Sequence, residues 1–260
     1  MKFSLSAFAC TLSLLAAFAN PALAADNQPV ILAELFTSEG CSSCPPADKF
    51  LETLDSQPIK GVHVIVMSEH VDYWNHDGWK DPYSSHLFTE RQEAYNDRLK
   101  PPNGSYTPQM ILNGIEQFTG SDTDQAGKSF TKVVQDPKVP LHLSNVSIDA
   151  SHVLHAHVDS GPLDPSFHVN DADLMIAVAM NRAESQVSAG ENKDRKLTHV
   201  AVVRSLNKDG QLKQGQSVNQ DIQVKVDPKL DADNLRIIAF LQEAHQGRVV
   251  GAAEAPLGVK

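Results

Sequence analysis

The chain has 260 residues, 41% apolar and 21% charged, enough for one large or two ordinary domains with proper cores. Its formal charge of −10, with no basic cluster, argues against nucleic acid and anionic membrane surfaces as partners. Of the three cysteines, Cys10 falls in an N-terminal apolar run, which leaves Cys41 and Cys44 as an even pair.

Lys2 precedes an apolar run from Leu5 to Phe18, and Pro21-Ala22-Leu23-Ala24 supplies a small-x-small cleavage site. Residues 1–24 therefore read as a signal peptide, which predicts a periplasmic or secreted protein with no membrane attachment after cleavage. An uncleaved anchor is the alternative, although the run is short for a membrane span. An oxidising compartment fits a disulfide between the two remaining thiols.

Val30 to Phe36 is rich in Val, Ile, Leu and Phe and reads as a buried strand. Ala47, Phe50, Leu51 and Leu54 recur at helical spacing, so Cys41-Ser42-Ser43-Cys44 sits where strand becomes helix. Cys41 then opens the helix, where unpaired backbone N–H groups and the positive dipole end favour a thiolate, and Cys44 is the more buried partner. Such a pair predicts thiol–disulfide exchange: Cys41 attacks a foreign disulfide and Cys44 resolves the mixed disulfide. The Ser-Ser spacer gives no sign of an extreme potential, and Glu39 would raise the thiol pKa and oppose the dipole. Pro45 and Pro46 lack N–H groups and predict an irregular first turn. Glu34 has two readings, a buried acid that relays the proton of Cys44 and a solvent-facing carboxylate. An inert structural disulfide is the alternative for the cysteines; a Zn²⁺ site normally needs four ligands, and no second cysteine pair exists.

The helix should end near Gln57-Pro58, and Val62 to Met67 reads as a second buried strand parallel to the first. The stretch from His70 to Tyr83 is aromatic, acidic and aperiodic, and holds both tryptophans. Loops at strand C-terminal ends line the crevice of open α/β sheets, so His70, Asp72, Trp74 and Trp79 become candidate substrate-binding residues beside Cys41. A packed loop whose rings cover the core is the alternative. Ser84 to Leu99 reads as a helix stopped by Lys100-Pro101-Pro102. A hairpin follows, with Thr107-Pro108 at its mouth and Asn113-Gly114 at its turn, then a helix capped by Ser121-Asp122 and running to about Val134.

This order of elements, with Cys-x-x-Cys after the first strand and Thr107-Pro108 before the third, resembles the thioredoxin fold over residues 28–136. The resemblance implies an α/β thioredoxin-like domain over residues 25–136, with a Trp-rich insertion at about 70–83. It also implies a cis Thr107–Pro108 bond facing the cysteines, with a partner's extended backbone pairing at Thr107. A trans proline opening an edge strand is the alternative. The wording from Glu34 to Asp48, with His70-Val71-Asp72-Tyr73-Trp74, Gly78-Trp79-Lys80-Asp81-Pro82 and Tyr106-Thr107-Pro108-Gln109-Met110, is similar to a secreted bacterial family catalogued as domain of unknown function 1223. That similarity implies a thioredoxin-like domain with a C-terminal extension, and His70, Asp72, Trp74, Trp79 and Asp81 match its loop motif.

From about Pro137 short β-branched or alternating runs replace helical spacing, with candidate strands at 141–148, 153–159, 174–180, 197–206, 222–226, 235–241 and 248–252. They predict a small all-β, sandwich-like domain over residues 137–260, with an exposed loop at 185–196. His155 and His157 share a strand face and would suit a metal, although a solvated face is the commoner outcome. Three readings of function follow. The first is a thiol–disulfide oxidoreductase acting on protein thiols and disulfides, with Cys41, Cys44 and Pro108 as its centre and no cofactor beyond the redox-active disulfide. The second is a binding module with a structural disulfide. The third is a Cu(I)-handling protein using both thiolates with His70 or His76.

Overall fold

The computed structural model describes residues 28–76, 78–102 and 104–257. The segment read as a signal peptide, with Cys10, lies outside them. The first half forms β1 (Val30–Thr37), α1 (Pro45–Ser56), β2 (His63–His70), α2 (His86–Leu99), β3 (Gln109–Leu112), β4 (Glu116–Thr119) and α3 (Thr123–Val133). This is the order of strands and helices that the sequence predicts. β1 and β2 pair in parallel, β3 returns antiparallel on the other side of β1, and β4 closes the hairpin. β1 is buried along nearly its whole length because helices cover both of its faces, which explains its unbroken apolar run. Local chemistry fixes the helix ends: the Ser85 side chain accepts from the Leu87 N–H, Asp122 accepts from Gln125, and Lys100 closes α2 in the left-handed region.

The second half forms β5 (Leu141–Ile148), β6 (Val153–Ser160), β7 (Asp171–Gln186), β8 (Lys196–Lys213), β9 (Asn219–Lys225), β10 (Leu235–Gln242) and β11 (Val249–Pro256). All seven predicted strands are present, but β7 and β8 extend well beyond their apolar centres into a long antiparallel hairpin. β8 then lies parallel to β2 through the Ser68 and Val202 pair. One eight-stranded mixed sheet results, in the order β11-β10-β7-β8-β2-β1-β3-β4, with a separate three-stranded sheet β5-β6-β9.

This continuity overturns the expectation of an α/β thioredoxin-like domain followed by a small all-β domain. Strand accounts for 43% of the described residues against 19% for helix, and the large sheet runs through both halves. The cores follow the same continuity. On one face, α2 residues Phe88 and Tyr95 pack with Leu32 and Phe36 of β1, but also with Val203 of β8 and Phe240 of β10. On the other face, α1 and α3 cover Ala33, Leu35 and Met110, while the three-stranded sheet covers Leu174, Ile176 and Ile237. Periodicity reports which face of a strand is buried, not which strand lies beside it, so the shared sheet was invisible to pattern reading.

Candidate functional site

Cys44 is the N-cap of α1, with Pro45 in its first turn, and Cys41 lies in the preceding tight turn. Proline fits this place because its missing N–H is one of those a helix start leaves unpaired, so the expected irregularity does not arise. The same geometry corrects the assignment of Cys41 to the helix start: the residue that caps the helix is Cys44. The two cysteines form a disulfide, and the Ser43 hydroxyl lies 3.4 Å from Cys41 Sγ.

Cys41 does not meet the expectation of an exposed attacking residue. Both cysteines have 0% of their surface exposed, while Ser42 and Ser43 between them are exposed. Part of the cover comes from the turn joining β7 to β8. Its Asn192, also 0% exposed, donates from Nδ2 to the carbonyl oxygens of Glu39 (2.8 Å) and Cys41 (2.9 Å). Glu191 accepts from the Ser42 N–H at 2.9 Å. The loop predicted as exposed at 185–196 is therefore in part a strand extension and in part a cap.

The Trp-rich loop supplies another part. A Cβ on Gly40 would stand 2.9 Å from Trp74 Cβ and 3.2 Å from the Trp74 carbonyl oxygen, so only glycine lets the two segments meet. Trp74 Nε1–H donates to Thr107 Oγ1 at 2.8 Å, linking the turn before the disulfide to the Thr107–Pro108 segment. That peptide bond is cis, and Pro108 is buried beside Ala47 of α1 near Gly120. Trp74 is thus tied both to Gly40 of the cysteine turn and to Thr107, and Pro108 and Ala47 of the cysteine helix both border Gly120.

Of the remaining candidates, His70 lies inside the protein, while Asp72 and Trp79 are half-buried. His70 is fully buried and lies within hydrogen-bond distance of Asp81 (Nδ1 to Oδ2, 2.7 Å); its Nε2 finds no hydrogen-bond partner among the described residues. Trp79 Nε1–H donates to Glu39 Oε2 at 2.8 Å. Asp72 accepts from the Thr89 hydroxyl at 2.6 Å and anchors the start of α2. Burial pushes its carboxyl up, but the bonds from Thr89 and His86 outweigh this and hold it below the usual range. His70, Asp72 and Trp79 therefore hold the site's walls, and His70 is closed to any ligand as it stands.

Glu34 is buried as one reading required, but on the wrong face. It sits on the α2 side of β1, bound by Arg91 Nε (2.8 Å) and the Tyr95 hydroxyl (2.6 Å), whereas α1 lies on the other side. The residues flanking the disulfide in sequence bring in a different set of groups. Asp48, one helical turn after Cys44, accepts from Thr37 Oγ1 at 2.9 Å. His199 of β8 places Nε2 3.2 Å from Glu39 Oε1 and Nδ1 3.7 Å from Asp48 Oδ2, the second being an ion pair rather than a hydrogen bond. The rings of His70 and His199 meet edge to face with centroids 4.6 Å apart.

Burial alone would push the His199 imidazole down, but the charge of Asp48 and then Glu39 lifts it from 6.5 to about 10, so it is protonated at neutral pH. Asp81 is likewise pushed up by burial, but the charge and hydrogen bond of His70 and two backbone N–H groups take it down to about 2. A groove of about 330 Å³, lined by Pro45, Asp48, Lys49, Glu52, Arg182 and Lys196 among others, connects Asp48 with the surface. Nothing local in the sequence marks His199. Asp48, four residues after Cys44 on a predicted helix, was the available signal.

Elsewhere, His155 and His157 each face their own acid, Asp149 at 3.0 Å and Asp221 at 2.7 Å. Among the described residues no group of three or more His, Cys, Asp or Glu is arranged to hold a metal ion, and no helix is long and apolar enough to cross a membrane.

The family described as protein of unknown function (DUF1223) matches residues 32–242. No curated protein matches the chain. Among solved structures, a protein of Agrobacterium tumefaciens determined as a structural-genomics target is similar with a TM-score of 0.68 and 27% identity, covering 88% of this chain and 95% of that one. HBP35 of Porphyromonas gingivalis is similar in fold alone, with a TM-score of 0.63 and 16% identity over 88% of this chain and 76% of its own. With the family match spanning most of its length, the chain belongs to the DUF1223 family of proteins of unknown function.

Proposed function

We propose that the protein exchanges disulfides with other proteins through Cys41 and Cys44. The observation that carries the reading is the buried ionic cluster of Glu39, Asp48 and His199, whose two acids flank the disulfide in sequence, Glu39 two residues before Cys41 and Asp48 four after Cys44. Removing charges from water costs several kcal/mol per ion, and a disulfide serving only as a brace has no use for such a cluster. A disulfide that opens does, because breaking it creates two sulfur anions that need protons.

A substrate thiolate attacks Cys41 Sγ, the Cys41–Cys44 bond breaks, and Cys44 leaves as a thiolate that takes a proton through Asp48 and His199. A second substrate thiol attacks the mixed disulfide and releases Cys41. In sum, two electrons and two protons pass from a substrate dithiol to the cysteine pair, which oxidises the substrate, and the reverse sequence reduces a substrate disulfide. Pro108 and Thr107 flank the substrate's main chain, with Trp74 holding Thr107 in place. The apolar N-terminal segment fits a periplasmic or secreted setting, where such exchange is useful.

Equilibration of the folded protein with glutathione buffers of graded potential tests the reading. Exchange predicts a defined midpoint above about −300 mV. The wholly buried sulfurs favour a second reading, a binding module braced by an inert disulfide, which predicts no reduction across that range.

A further inference from the structure

The turn at 187–195 is built around one side chain. Asn192 Oδ1 accepts from Arg195 Nη1 at 3.0 Å, and backbone bonds from Val187 to Arg195 and from Asp194 to Val187 fix the turn. This leaves both hydrogens of Asn192 Nδ2 aimed at the carbonyl oxygens of Glu39 and Cys41, while Glu191 takes the N–H of Ser42. Two acceptors and one donor of the cysteine turn's main chain are thus occupied by side chains from a distant hairpin. An extended polypeptide laid along this turn would supply the same complement, N–H groups to the carbonyls and a carbonyl to the Ser42 N–H.

We propose that the tip of the β7–β8 hairpin is an internal stand-in for substrate main chain, so that the disulfide opens to a cysteine within an extended polypeptide and stays shut to small thiols. This inference rests on the exchange reading above. A peptide replaces each hydrogen bond it displaces, so lifting the tip leaves no buried carbonyl unpaired. A small thiol replaces none of them. The tip also touches the Trp-rich loop, where the Gly78 Cβ position lies 3.9 Å from Ala189 Cβ, so a peptide that moves it also opens the side nearest Trp79.

The test compares reduction of the folded, oxidised protein by dithiothreitol and by a ten-residue cysteine-containing peptide, in the wild type and in the Asn192→Ala and Glu191→Ala variants. Glu191 is exposed, so its variant retains the fold even if Asn192→Ala does not. The expected result is that the wild type reacts faster with the peptide than with dithiothreitol. Each variant should gain at least tenfold in its rate with dithiothreitol and lose the preference for the peptide. Equal dithiothreitol rates in wild type and variants would overturn the stand-in role while leaving exchange intact. Variants that resist both reductants until denaturant unfolds them would overturn the exchange reading itself.

Discussion

Replacing His199 with glutamine removes the cation that Glu39 and Asp48 share and leaves the ring's volume nearly filled. In the wild type the imidazole rises from 6.5 unfolded to about 10 folded. At about 1.4 kcal/mol per pH unit, the protonated form favours the folded state by up to roughly 5 kcal/mol. Because the folded value is the higher one, this stabilisation is fully present below pH 6.5 and is lost as the pH rises toward 10. Breaking a buried ion pair by removing one partner costs about 3–5 kcal/mol, so His199→Gln should be destabilised by that amount at pH 6. The difference should shrink steadily between pH 6.5 and 10, because the wild type is losing what the variant never had. Urea unfolding of the oxidised protein at pH 6, 8 and 10 reads both quantities from the midpoints. Parallel pH profiles for wild type and variant would refute the buried imidazolium.

The second buried cluster gives a contrasting pair. Burial, with the nearby Glu34 charge, holds the Glu69 carboxyl well above its usual range despite Arg91, which favours the protonated acid, and Glu69→Gln, its neutral isostere, should cost less stability than Glu34→Gln. Glu34→Gln deprives Arg91 of its closest partner and should cost about 3–5 kcal/mol in the same urea assay. Asp81→Asn should remove a stabilisation that is present above the unfolded carboxyl value of 3.8 and lost as the pH falls through about 2, making the variant's acid unfolding curve flatter. Gly40→Ala drives a methyl group against Trp74 and should cost about 1–3 kcal/mol, with a shift in tryptophan fluorescence. The double variant Cys41→Ser/Cys44→Ser should lose only about 2 kcal/mol, since so short a loop restrains the unfolded chain weakly. A loss above about 4 kcal/mol would instead mark the disulfide as a brace.

Much of the chain was legible because its local chemistry is unambiguous. The first seven elements, all seven later strands and the disulfide were each marked by residues close in sequence, whereas the cis bond at Pro108 came only as an implication of the resemblance. What escaped were the pairings made across long separations. The β2–β8 contact joins Ser68 to Val202, and neither strand carries a sign of the other. His199 was one of several histidines until β8 carried it to Glu39 and Asp48. Asn192 sat in a polar run that read as solvated, and only the length of the β7–β8 hairpin brings it down onto Cys41. Glu34 shows the opposite error: its burial was anticipated, but strand alternation sent it to the α2 face, away from the helix that Cys44 caps.

The claim that matters most is that the folded protein can bring Cys41 into covalent contact with another molecule's sulfur. A Cys44→Ser variant lacks the resolving thiol, so any mixed disulfide at Cys41 persists and is read as added mass in intact-protein mass spectrometry. Incubated without denaturant with a peptide disulfide, this variant should accumulate one adduct at Cys41, released by reducing agent. Absence of the adduct from the native protein, with its appearance only after unfolding, would contradict the account.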